Sequence, residues 1–326
     1  MIGNLQILRA FAASGVVILH SNATIFGAHT EFHGVALFFV LSGYLMSRIC
    51  NRSAVTFALD RFWRIVPSYW LATALLLTIL NMWTHWPVEH LVLSALFIPH
   101  QSPAGLYPVL GVGWTLNLEV YFYTIFTFSI VINRKFAPII AGSIISAAYF
   151  GVSHFTDNEA ALHYIAHKYI WFFVLGIGIW YFSEYLKNKD IKLNLPKMTL
   201  PVAIIAYAVL TVYFASKGYS VTVFYWSAIF SVSILFLIAI LAADYGADLK
   251  PRAILLLGDA SYACYLLHTI LIEFLRHKGI ASTGTFVFTT GVLIGSWSLA
   301  ILWHLYIERF ISMLPRRNVR ISFQAS

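Results

Sequence analysis

Long apolar runs alternate with short polar or basic stretches along almost the whole chain, the pattern of spanning helices joined by short loops. The runs fall at residues 7–23, 34–50, 66–84, 115–133, 136–153, 167–186, 199–216, 222–243, 254–275 and 285–307. They predict an all-α fold: a polytopic membrane protein of about ten transmembrane helices, with residues 1–326 forming a single domain. No internal repeat or low-complexity tract interrupts the series. The longest connection, Thr84 to Gly113, carries His85, His90, His100, Trp86 and Tyr107 but no Lys or Arg. That composition suits a partly buried loop over an outer cavity, and its histidines lack zinc-ligand spacing.

Composition removes the soluble alternatives. Hydrophobic residues make up 60% of the chain and charged residues only 10%, against about a quarter charged in an ordinary soluble domain. The net charge of +8 raises nucleic acid as a partner, but the placement of the basic residues argues for topology instead. On the N-terminal side stand Arg9, Arg48, Arg52, Arg61, Arg64, Arg134, Lys135, Lys187, Lys189, Lys192, Lys197, Lys250, Arg252, Arg309, Arg316, Arg317 and Arg320. The other side keeps only Lys168, Lys217, Arg276 and Lys278. This asymmetry predicts that both termini are cytoplasmic. Two cysteines, Cys50 and Cys264, lie too far apart in apolar surroundings to suggest a disulfide framework or a Cys/His metal site. The first run has no basic leader and no small-residue cleavage site, so it is expected to remain in the mature protein.

Polar groups inside the apolar runs carry the candidate chemistry. Arg9 and His20 are separated by almost three helical turns, which puts both on one face about 16 Å apart. An ionised group facing lipid costs several kcal/mol, so that face must meet protein, water or ligand. The ordinary explanations are an Arg that snorkels to headgroups and a His that bonds a neighbouring helix. The functional one is a helix that lines a site. In the second run Ser42-Gly43 offers a close helix contact, with Ser42 a lining candidate.

Arg61 and Arg64, three residues apart at the cytosolic entrance of the third run, serve either as positive-inside anchors or as an anion seat for a phosphorylated cosubstrate. Glu119 lies inside the fourth run among Trp114, Asn117, Tyr121 and Tyr123. A carboxylate there needs a partner, and His20 is the expected one, either as a structural pair or as a base held in its tautomer. Ser261, Tyr265 and His268 share one helical face, with Asp259 or Ser261 available as a cap. Glu308 and Arg309 read as a local pair or headgroup contact. Residues 136–243, poor in intramembrane charge, read as scaffold.

Taken in order, LRAFAASGVVILH, GVALFFVLSGYL, DRFWRIVPSYW, WTLNLEVYFY, GDASYACYLLH and the closing YIER resemble the acyltransferase-3 family of integral membrane proteins. The likeness spans nearly the whole chain. It implies a bacterial inner-membrane enzyme that O-acylates, commonly O-acetylates, surface glycans, exopolysaccharides, Nod factors or related acceptors. Its donor is expected to be acyl-CoA, typically acetyl-CoA, drawn from the cytosol as cosubstrate, with no bound cofactor and no metal. The family's basic residue, ten spacers and histidine match Arg9 and His20. Its tryptophan-serine-leucine and glutamate segment appears as Trp114-Thr115-Leu116 and Glu119. Thr115 replaces the usual serine, and Val120 stands where an acidic or polar residue is common. Some members carry an extracytoplasmic domain, and this chain is expected to end before one.

The resemblance implies His20, Glu119 and Arg9 as catalytic residues, Arg61 and Arg64 as the donor seat, and Ser42, Trp114, Asn117, Tyr123 and His268 as lining. The implied partners are a glycan acceptor or its lipid-linked precursor, acyl-CoA, the lipid bilayer and polysaccharide assembly proteins, with no nucleic acid. Two other classes fit the same polar residues. A polytopic transporter of a glycan or small solute would use Arg9, His20 and Glu119 along its path, although such proteins often show repeated halves. A noncatalytic partner of an assembly complex would tolerate replacement of His20.

Overall fold

The structure is a computed structural model that describes residues 2–25, 28–29, 32–103, 105–189, 194–217, 221–280 and 285–314. Lys192, Arg316, Arg317 and Arg320, four of the residues expected on the cytosolic side, lie outside these. Twelve α-helices run α1 Gly3–His20, α2 Gly34–Arg48, α3 Ala54–Ile79, α4 Val88–Ala95, α5 Gly113–Ile132, α6 Ala137–Phe155, α7 Glu159–Tyr164, α8 Ile170–Asn188, α9 Thr199–Ser216, α10 Val221–Asp244, α11 Arg252–His277 and α12 Phe286–Trp303. Among the described residues the fold is helical apart from one minimal hairpin, β1 Thr24–Ile25 paired antiparallel with β2 Ala28–His29, and an isolated bridge between Ser102 and Gly105.

A long helix stands at each of the ten expected positions. Among the described residues seven helices are long and apolar enough to cross a membrane, fewer than the ten spans expected. The difference has a chemical cause. Asn4, Gln6, Arg9 and His20 lower the apolar content of α1, and Glu184 and Lys187 that of α8, while α2 has only 15 residues. The outward faces of the spanning helices are apolar and exposed, as at Val202, Ile205, Val209, Phe230 and Ile294. Such surface belongs in lipid. The chain is a multi-pass membrane protein.

The centre is built from α1, α2 and α11, with α8 behind α2 and α12 behind α11. The contact of α2 with α8 is made backbone to backbone. A Cβ on Gly43 would stand 2.1 Å from the Phe173 carbonyl oxygen, and one on Gly176 would stand 2.1 Å from that of Val40. The expected small-residue contact at Ser42-Gly43 is therefore present and reciprocal. The start of α1 is stitched to the connection between α10 and α11. Fully buried Asn4 donates its side-chain amide to the carbonyls of Ala239 and Ala247, both at 3.1 Å, and accepts from Leu249 N–H at 2.9 Å.

Helix α3 begins at Ala54, capped by Ser53 accepting from Thr56 N–H at 3.1 Å. This start is about three turns earlier than the apolar run alone suggests, because the basic segment that precedes the run continues the same helix through Pro67. Arg61 and Arg64, whose three-residue spacing suits one helical face, thus lie within α3. The connection from 84 to 113 is structured, as its composition suggested. It contains α4, whose His90 is buried and donates from Nδ1 to Nε2 of His100 at 2.7 Å.

Candidate active site

Five helices converge on one internal cavity of about 70 Å³, room for several waters or a short acyl group. Arg9 comes from α1, Ser42 from α2, Arg61 and Arg64 from α3, Thr115, Glu119 and Tyr123 from α5, and Ser261, Tyr262 and Tyr265 from α11. Along α2 the lining runs from Val35 to Met46, a reach of about 16 Å. Apolar side chains such as Phe38, Phe39 and Leu45 complete the wall.

Charge within this cavity is unbalanced. Three guanidinium groups meet one carboxylate, and none of the three forms an ion pair among the described residues. Arg9, only 8% exposed, donates to Gln6 Oε1 at 3.1 Å, and Gln6 Nε2 donates to Asp259 Oδ1 at 3.0 Å. Arg61 lies over the Tyr123 ring, 5.9 Å from its centroid, with its buried Nε unpaired. Arg64 is exposed at the cavity's edge. A cation without a carboxylate partner can accept a ligand's negative charge, which supplies what the protein withholds.

Glu119 accepts from Ser42 Oγ at 3.1 Å and from the Tyr123 hydroxyl, one helical turn further along α5. It was expected to pair with His20, and it does not. The reason is packing: α5 lies against α6, α3 and α2, whereas α1 lies against α11, α2 and α10. Depth adds to this, because Glu119 sits about 9 Å into α5 while His20 is the last residue of α1.

His20 instead meets His268 of α11, Nδ1 to Nε2 at 3.2 Å, with ring centroids 4.9 Å apart. His20 Nδ1–H also donates to the Val16 carbonyl at 2.9 Å. His268 is completely buried and donates from Nδ1 to the Cys264 carbonyl at 3.2 Å. Neither histidine lines the cavity. Tyr265 links the two regions: it lines the cavity, its hydroxyl lies 2.6 Å from Thr115 Oγ1, and its ring centroid is 5.9 Å from that of His268.

Of the other expected lining residues, Ser42 and Tyr123 face the cavity, and Trp114 and Asn117 do not. Trp114 stacks on Tyr169 and abuts His167, and buried Asn117 leaves its Oδ1 unpaired. Glu308 takes His304, not Arg309, as its partner at 2.6 Å. Both belong to a π-helical turn, His304–Glu308, that continues α12. Sequence reading passed over Gln6 and Tyr262, and it left Tyr265 without a role. The available signal was periodicity, since Tyr262 stands three residues before Tyr265 on α11.

A membrane-embedded bundle that holds a small cavity lined by guanidinium, carboxylate and hydroxyl groups, with an imidazole pair beyond it behind Tyr265, has the makings of a group-transfer enzyme. The chain belongs to the acyltransferase-3 family: the family profile described as "Acyltransferase domain" matches residues 2–304. The protein is accordingly a membrane acyltransferase. It is 32% identical over 259 residues to "Exopolysaccharide production protein ExoZ" of Rhizobium meliloti (strain 1021), covering 76% of this chain and 78% of that one. It is 25% identical over 305 residues to "O-acetyltransferase OatA" of Staphylococcus aureus (strain NCTC 8325 / PS 47), covering 82% of this chain and 50% of OatA. This chain thus spans about half the length of OatA. No solved structure matches the chain significantly.

Proposed function

We propose that this protein is a bacterial inner-membrane O-acyltransferase that moves an acyl group, an acetyl group above all, from acyl-CoA to a hydroxyl of a surface polysaccharide, an exopolysaccharide or its lipid-linked precursor. The observation that carries the reading is the cavity in which Arg9, Arg61 and Arg64 face a single carboxylate. An excess of guanidinium over carboxylate suits the phosphates of CoA, which Arg grips with charge-assisted, bidentate bonds. Similarity to ExoZ and OatA supports the choice of a polysaccharide acceptor and of an O-acyl product. In this reading all ten long helices span the bilayer, both termini are cytoplasmic, and the arginines open toward the cytosol that supplies the donor.

The chemistry follows from a sugar hydroxyl being a poor nucleophile at neutral pH. His20 Nε2 takes the hydroxyl proton as the oxygen attacks the thioester carbonyl. The C–S bond then breaks, and the imidazolium returns the proton to the departing CoA thiolate. Alternatively His20 itself carries the acyl group between two such steps. Arg9 orients the donor. Glu119, held by Ser42 and Tyr123, fixes the wall beside Arg61 and balances part of the arginines' charge.

NMR or mass spectrometry of surface glycan from strains with and without this protein tests the reading. Acyl esters present in the first and missing from the second are expected. Identical acylation in both would overturn it.

A further inference from the structure

His268 is completely buried, and it does not line the cavity that holds the arginines. A carbonyl oxygen only accepts, so the two backbone contacts assign the neutral rings. His20 carries its proton on Nδ1, against the Val16 carbonyl, and His268 carries its own on Nδ1, against the Cys264 carbonyl. The lone pair of His268 Nε2 then faces His20 Nδ1–H at 3.2 Å. One N–H is shared between two neutral acceptors, and Nε2 of His20 is left as the free base.

We infer that His268 is the positioning residue of the reaction: it holds His20 in the tautomer that leaves Nε2 basic, and it stabilises the positive charge that His20 gains on accepting a proton. The inference rests on the proposed reading of His20 as base. A carboxylate at this place would hold the imidazole more strongly but would bury a second charge at several kcal/mol. A neutral imidazole fixes the tautomer without that cost. It acts through His20 alone, since α11 presents Tyr265 to the cavity and turns His268 toward α1.

Two amides separate this role from simple packing. In His268→Gln the amide reaches the place of Nε2, toward His20. In His268→Asn it reaches only the place of Nδ1, toward the Cys264 carbonyl. The full-length protein is purified in detergent and given acetyl-CoA with surface polysaccharide from a strain lacking the protein, and CoA release is followed. His268→Asn should lower kcat about ten- to a hundredfold, the range for a bond to a charged group, with KM for acetyl-CoA unchanged. His268→Gln should stay within about tenfold of the unsubstituted enzyme. Asn equal to or better than Gln, or a loss confined to KM, would overturn the inference and assign His268 to holding its own helix.

Nitrogen NMR of histidine-labelled protein needs neither variant. With the His20 signal assigned by comparison with His20→Ala, protonation of His20 on Nδ1 is expected, and protonation on Nε2 refutes the assignment. If His20→Ala turns over normally, the reading of His20 as base falls, and this inference with it. If His20→Ala is silent while both His268 variants match the unsubstituted enzyme, only this inference falls.

Discussion

Gly176 and Gly178 stand two residues apart on α8, and alanine at each should act in opposite directions. At Gly178 a Cβ meets nothing within 4 Å. Ala there gains helix propensity and reduces the freedom of the unfolded chain, which stabilises by up to about 1 kcal/mol. At Gly176 the Cβ would lie 2.1 Å from the Val40 carbonyl oxygen and 2.8 Å from the Tyr44 amide nitrogen. Backbone atoms cannot rotate away. Restoring an ordinary contact near 3.4 Å requires α2 and α8 to part by roughly 1 Å, overpacking that costs about 1–3 kcal/mol or more.

Function should follow stability here, because α2 also carries Ser42. Its 3.1 Å bond to Glu119 cannot survive an ångström of displacement toward the cavity unchanged. Thermal unfolding of detergent-purified protein, followed by tryptophan fluorescence, should give Gly178→Ala at or above the unsubstituted protein and Gly176→Ala clearly below it. Acyl transfer should fall only in the second. Gly43→Ala loads the same interface from the other helix, so combining it with Gly176→Ala should cost less than the two single effects added together. Equal behaviour of Gly176→Ala and Gly178→Ala would show that the helices do not meet as described.

Other outcomes follow from the site and its surroundings. His20→Ala, inserted at normal levels, should bring acylation down by about a hundred- to ten-thousandfold, while Val17→Ala should affect packing; fully acylated glycan from His20→Ala would return His20 to a structural role. Arg61→Ala should raise KM for acyl-CoA about tenfold, worth roughly 1.4 kcal/mol, with Arg61→Lys recovering only part. Arg64→Ala should do less because Arg64 is exposed, and unchanged affinity in all three variants would leave the arginines as anchors. Burial pushes His33, in the connection between α1 and α2, down to about 4. The fold therefore favours its neutral form: the stability is complete above about pH 6.5 and is lost as pH falls toward 4, by at most about 3 kcal/mol at roughly 1.4 kcal/mol per unit. His33→Asn, which tolerates the left-handed φ of 43°, should flatten the decline in unfolding temperature between pH 7.5 and 5; parallel curves would place the acid sensitivity elsewhere.

Helix positions were legible because apolar runs and short basic loops are local properties of the chain. So was the common face of Arg9 and His20, which follows from an eleven-residue spacing. Their separation along that face was legible too, but its consequence was not. The two residues lie in different compartments, one in the cavity and one against His268. Sequence gives depth along a helix and says little about which helices adjoin, so Glu119 was assigned to His20 although α5 packs on α2 and α3. His268 was visible as a polar residue on the face of Ser261 and Tyr265. Its partner was not, since it lies 248 residues away. The boundary of α3 was set too late because the apolar run starts after Arg61 and Arg64, although their spacing already put the two on one helical face.

Two polar residues of α1 are made long before the groups that satisfy them. Asn4 waits for Ala239, Ala247 and Leu249, and Gln6, which braces Arg9, waits for Asp259, a separation of 253 residues. At about 5–20 residues per second of synthesis, that is an interval of roughly 10–50 s. Throughout it the two amides belong to a newborn segment whose distant bonding partners do not yet exist, and the guanidinium of Arg9 has only Gln6. Helix α1 must therefore be sheltered at the insertion machinery or held near the bilayer surface until α10 and α11 emerge. A ribosome that stalls before α11 strands it there, a substrate for membrane proteolysis rather than a partly built enzyme.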